Sequence, residues 1–148
     1  MTIISAPSAL ALWLGRAGLL PFLAGAALAW WARADGSPGL AAHAAQALLA
    51  YGAVIVSFLG GLHWGLAMRQ AAPQASLLGW GVVPSLLAWP ALLLPPAQGL
   101  LLLAASLWLC FAVDRRVLKA QGASAWLGLR LQLTLVASLC CGLGSAVM

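Results

Sequence analysis

The residues of this 148-residue sequence that could do chemistry are few: seven Lys or Arg, two Asp or Glu and two His. Four of them fall near one boundary of the apolar segments described below: Arg16, His63, Asp114 and Arg130. An imidazole titrates near neutrality, and an intramembrane ionisable group marks a candidate functional site. Asp114 is the only acid near that boundary, and either Arg130 or Arg16 is its expected counter-ion, because an unpaired charge at that depth is costly. Two readings of this polar belt stand side by side. It is structural, an ion pair with His63 as interhelical glue, or it forms a pocket for an anionic headgroup or small ligand, with Ser57, Trp64 and Ser85 as further lining.

Other chemistries lack support. His43 and His63 are 20 residues apart on one segment, roughly 30 Å along a helix, so they cannot ligate one haem. Clustered carboxylates, Cys-x-x-Cys and glycine-rich phosphate loops are absent, so no metal site and no cofactor is expected. One histidine, one distant aspartate and a few serines form no recognisable catalytic set, and a non-enzymatic protein is expected. The +5 net charge comes from scattered, mostly juxtamembrane residues that topology rules explain, so nucleic acid is not an expected partner. Cys110, Cys140 and Cys141 lie in apolar runs, and the adjacent pair disfavours a mutual disulfide.

The elements that position these residues follow from composition. With 64% hydrophobic and 6% charged residues and a mean hydropathy of +1.03, the chain cannot cover a globule with polar surface, and lipid must face most of it. The apolar runs are continuous instead of alternating, which excludes a β-barrel. A span needs about 20 helical residues, and the gaps between charges then give five. The sequence predicts an all-α bundle of five transmembrane helices near 10–32, 40–68, 75–94, 97–113 and 125–146, one domain over 1–148, with a hairpin at Pro95-Pro96. The first run continues past Arg16 to Trp31, longer than a signal-peptide core, so no cleavable presequence is expected.

Arg16, Arg69, Arg115, Arg116, Lys119 and Arg130 gather on one side of such a bundle, and Arg33 lies on the other beside Asp35. The positive-inside rule then places the N-terminus in the cytoplasm and the C-terminus outside.

Within the second span, Ala53, Ser57, Gly61 and Gly65 recur every fourth residue and Gly60 flanks them, a small-residue ridge for close packing in lipid. His63 is expected to point into the bundle beside Gly60 and Val56, with Trp64 on the packed face. Pro84 in the third span frees the carbonyl of Trp80 and predicts a kink, with Ser85 at hand to satisfy it. Trp30, Trp31, Trp108 and Trp126 fall near span ends, as interfacial anchors do; Trp64, Trp80 and Trp89 lie deeper.

The stretch from Tyr51 to Gly65, with Ser57, Gly60, Gly61, His63 and Trp64, resembles the signature of a family of small bacterial membrane proteins of unknown function with a mitochondrial transmembrane relative in animals. Gly18, Pro21 and Phe22, Trp80 with Pro84-Ser85, Asp114-Arg115, Leu129-Arg130 and Leu133-Thr134 resemble the rest of its pattern; Leu127, after Trp126, departs from an aromatic residue there. The resemblance implies a multi-pass protein of the bacterial inner membrane and carries no catalytic residues. The expected function is an accessory or assembly component docking on a larger membrane complex, with membrane lipids, such a complex or a second copy as partners. The alternative is a small carrier or a lipid- or quinone-binding protein using the polar belt.

Overall fold

Backbone donors and acceptors in lipid must be satisfied within each segment, and the apolar runs achieve this as helices. The computed structural model describes residues 5–148. It contains α1 (Ala9–Ala17), α2 (Leu20–Ala34), α3 (Pro38–Met68), α4 (Ala75–Leu93), α5 (Pro96–Ala120), a 3₁₀ turn at Ser124–Trp126 and α6 (Leu127–Ala146). By length and composition these make five spans capable of crossing a membrane, with α1 and α2 together forming the first.

Local chemistry sets the ends. Ser8 caps α1 by accepting from the Ala11 amide at 3.2 Å, and Pro38 and Pro96 occupy first-turn positions where a missing N–H costs nothing. Gly36 and Gly122 take φ of +76° and +70°, closing α2 and α5 in the left-handed conformation that glycine adopts without strain. Leu94 before Pro95-Pro96 is extended, as a residue preceding proline should be, and the hairpin falls where the sequence places it.

Two boundaries differ from the sequence reading. The first span is not one helix, because it breaks at Gly18-Leu19. Pro21 has no amide to offer the Ala17 carbonyl and its ring crowds that carbonyl; the Leu19 amide turns back to Arg16 O at 3.0 Å instead. The hydroxyl of Tyr51 donates to the freed Gly18 carbonyl at 2.9 Å. The fourth span does not stop at residue 113 but continues to Ala120. Charge ends a hydrophobic run without ending a helix, and Arg and Lys are good helix formers.

Helix α3 is central, packing against α2, α4, α5 and α6. Its buried face contains Ala53, Val56, Gly60, His63 and Ala67, and Leu48, Leu49, Leu100, Leu103, Leu107 and Phe22 fill the core around it. The every-fourth ridge is therefore corrected. Ala53 is buried and Ser57 partly so, but Gly61 and Gly65 are exposed, and a Cβ added at either meets nothing. At 100° per residue, each four-residue step advances 40° beyond a full turn, so three steps from Ala53 carry Gly65 off the face. Alternating steps of three and four through 53, 56, 60, 63 and 67 stay on it.

Gly60 makes the closest interhelical approach of the ridge: a Cβ there would lie 2.1 Å from the Gly81 carbonyl oxygen of α4. Trp64 folds its indole over Gly81 and donates Nε1–H to the Leu78 carbonyl at 3.0 Å. Helix α4 runs without interruption through Pro84, which is buried, and Pro90.

Candidate functional site: a buried His–Asp–Arg cluster

Three helices each deliver one polar side chain to one place. Asp114 lies on the inner face of α5, one turn beyond the buried Cys110 and one before Leu118, and it is wholly inaccessible. The extra length of α5 makes this possible, since the carboxylate sits on a continuing helix and not in a loop. Arg130, near the start of α6, donates Nε–H to Asp114 Oδ2 at 2.8 Å and brings a terminal amino group to the same oxygen. His63, from α3 and only 1% exposed, places Nε2 3.4 Å from Asp114 Oδ1.

That last distance is too long for a well-formed hydrogen bond, and neither Nε2 nor Oδ1 has another partner; the packing of α3 against α5 brings the two groups together. The other ring nitrogen lies 3.4 Å from the Leu59 carbonyl one turn back. Trp80 covers the imidazole edge-on, with ring centroids 6.3 Å apart. With one carboxylate and one guanidinium in contact, the two charges compensate each other, as burial among apolar helices requires.

Of the residues the sequence singles out, His63, Asp114 and Arg130 come together and the others stand apart. Arg16 is exposed and donates to Gln132 Oε1 at 3.3 Å; the break after α1 directs it along α6 and away from Asp114. Ser85 is exposed on α4. Ser57 is half-buried roughly one and two-thirds turns from His63, and Trp64 points to α4. Trp30, Trp108 and Trp126 do more than the sequence expects of interfacial anchors, and Trp108 lies midway along the longer α5 and not at a span end. Their indoles donate to Leu143 O at 2.9 Å, Ser138 Oγ at 3.1 Å and Ser5 O at 2.9 Å, tying each to another segment.

Sequence reasoning missed Thr134 as a site residue. It lies one turn after Arg130 on α6, is 1% exposed, and its hydroxyl has no partner. The four-residue spacing from Arg130 is the signal that would have found it. Among the described residues, no group of three or more His, Cys, Asp or Glu is placed to hold a metal ion.

The fold and this cluster define a multi-pass helical membrane protein with an acid–base set enclosed between spans. The chain belongs to the family described as "Protein of unknown function (DUF3429)", whose model matches residues 7–146. It is also similar to Transmembrane protein 69 of Xenopus tropicalis, with 43% identity over 86 residues, 56% of this chain and 32% of that protein; the chain thus spans about a third of that relative's length. No solved structure matches it.

Proposed function

We propose that the protein is a non-enzymatic component of the bacterial inner (cytoplasmic) membrane, an accessory or assembly factor that docks on a larger membrane complex. The enclosure of the His63–Asp114–Arg130 cluster carries this reading. Asp114 has no exposed surface and His63 almost none, so the one set of groups with acid–base character is spent on holding α3, α5 and α6 together. A catalytic set needs a reacting atom within hydrogen-bond reach, and burial keeps the His63 and Asp114 side chains from the surface. Short connections at 35–37, 69–74, 94–95 and 121–123 leave the membrane-embedded faces as the surface offered to a partner.

The basic bias supports a cytoplasmic N-terminus. Arg115, Arg116 and Lys119 line one concave surface with Trp108 and Phe111 along the C-terminal half of α5, its basic end suited to an anionic headgroup layer. The test is mild solubilisation of the tagged protein and identification of what co-purifies, paired with a deletion strain. One membrane complex should be recovered reproducibly and should assemble to a lower level without the protein. Recovery of the protein alone, with every membrane complex at its normal level in the deletion strain, would overturn the proposal.

A further inference from the structure

Where α5 runs on beyond Asp114, its outer face carries three exposed cations, Arg115, Arg116 and Lys119. At 100° per residue, Trp108, Ala112, Arg115 and Lys119 fall within about 60° of one another, with Phe111 and Arg116 on the two flanks. These six residues line a concave surface of about 730 Å³, basic at one end and aromatic at the other. We infer that this surface is a discrete site for one phospholipid with a net-negative headgroup. The three cations hold its phosphate, and an acyl chain lies along Trp108 and Phe111.

Charge calls for an anion from outside the chain. The sequence has two acidic side chains, Asp35 and Asp114. Asp114 faces inward and is taken by Arg130, while Asp35 follows α2, at the opposite end of the spans from the end of α5. Among the described residues, Arg115, Arg116 and Lys119 make no ion pair. Lys119 lies three and four residues from the two arginines, so the like charges are neighbours on the helix and repel. A phosphate between them offsets that repulsion and suits the guanidinium forks, which bind phosphate oxygens through paired N–H groups.

Depth and the aromatic half select a lipid as the source of the phosphate. From Pro96, where the span begins, Arg115 is roughly 28 Å along the helix and Lys119 roughly 35 Å, at and just beyond the edge of a hydrocarbon core of about 30 Å. Trp108, roughly 18 Å along, lies inside that core. It packs edge to face on Phe111, with ring centroids 6.0 Å apart, and the exposed Leu101, two turns deeper on the same face, continues the apolar track. A phosphate free in water or an acidic protein segment outside the membrane meets the basic end alone; an occupant of the whole surface has its anion at the membrane edge and hydrocarbon below. A zwitterionic headgroup brings an ammonium of its own towards three cations and is disfavoured. The site is more than a general attraction to a headgroup layer, and it does not rest on the partner-docking reading, because this chain alone forms it.

The experiment uses the full chain in dodecyl maltoside, mixed with equal amounts of phosphatidylglycerol and phosphatidylcholine, with the retained lipid read by native mass spectrometry. One phosphatidylglycerol should be retained in preference to phosphatidylcholine, and neither glycerol 3-phosphate nor a glutamate-rich peptide at the same concentration should displace it. A basic residue beside anionic lipid is worth a factor of about five, so Arg116→Gln should weaken retention about five-fold and the triple change of Arg115, Arg116 and Lys119 to Gln roughly 100-fold. Arg69→Gln removes the same charge from the same end of the bundle but lies on α3, away from this surface, and should leave retention unchanged. All four side chains are exposed, so melting temperatures should hold; if Arg116→Gln lost stability, Lys119→Gln would decide in its place on the same terms. Equal retention of the two lipids, equal loss in Arg69→Gln and Arg116→Gln, or displacement by glycerol 3-phosphate or by the peptide would overturn the assignment.

Discussion

Placing a methyl group at Gly60 and at its neighbour Gly61 gives two variants with the same chemistry and opposite surroundings. A Cβ at Gly60 would lie 2.1 Å from the Gly81 carbonyl oxygen and 3.1 Å from its carbon, whereas at Gly61 it would meet nothing within 4 Å. Gly60→Ala therefore forces α3 and α4 apart by ~1 Å, and a gap of that size forfeits a quarter to a half of each dispersion contact along the seam. Both variants share the gain in helix propensity, so their difference isolates the overpacking cost, about 1–3 kcal/mol. Unfolding of the two purified variants by SDS titration in one mixed micelle, followed by far-UV circular dichroism, measures that difference. Gly60→Ala should unfold at a lower detergent fraction than the parent, and Gly61→Ala at an equal or higher one. Equal midpoints, or the greater loss at Gly61, would refute the assignment of the packed face.

Other outcomes follow from single contacts. Trp64→Phe removes the donor to Leu78 O and should cost about 0.5–1.5 kcal/mol in the same titration; Trp64→Ala, which also uncovers Gly81, should cost about 2 kcal/mol or more. Tyr51→Phe leaves the Gly18 carbonyl without its partner at a cost of roughly 1 kcal/mol, and amide exchange should quicken at Leu19 and Leu20 before the rest of α2. A reporter fused after Met148 should be active outside the cytoplasm and one inserted near Gln121 inside it; both on one side would refute the span count.

Much of this architecture is legible in the sequence because lipid imposes a length rule. The gaps between charges locate five spans, and Pro95-Pro96 the hairpin. The break at Gly18-Leu19 is not legible in the same way. Pro21 announces a missing donor, but whether the chain kinks or breaks depends on Tyr51, 33 residues away, accepting the role of partner. The packed face of α3 is misread when a four-residue repeat is taken for a straight ridge, and the drift of 40° per step turns Gly61 and Gly65 outwards. His63, Asp114 and Arg130 are recognisable because each is an ionisable group in an apolar setting. Thr134 is legible only through its four-residue spacing from Arg130, since an uncharged hydroxyl in an apolar run draws no attention by itself; Arg16 is singled out by the same boundary argument, yet it pairs with Gln132 instead of Asp114.

The central claim is that Asp114 and Arg130 act as one buried unit joining α5 to α6. A double-mutant cycle of Asp114→Asn, Arg130→Gln and the pair, read as unfolding free energy in SDS titration, tests it most directly. Asp114→Asn strands a guanidinium among apolar helices and should cost about 3 kcal/mol or more; adding Arg130→Gln removes the stranded charge and should recover part of that loss, with a coupling energy of at least ~1.5 kcal/mol. Effects that add to within about 0.5 kcal/mol would contradict the account.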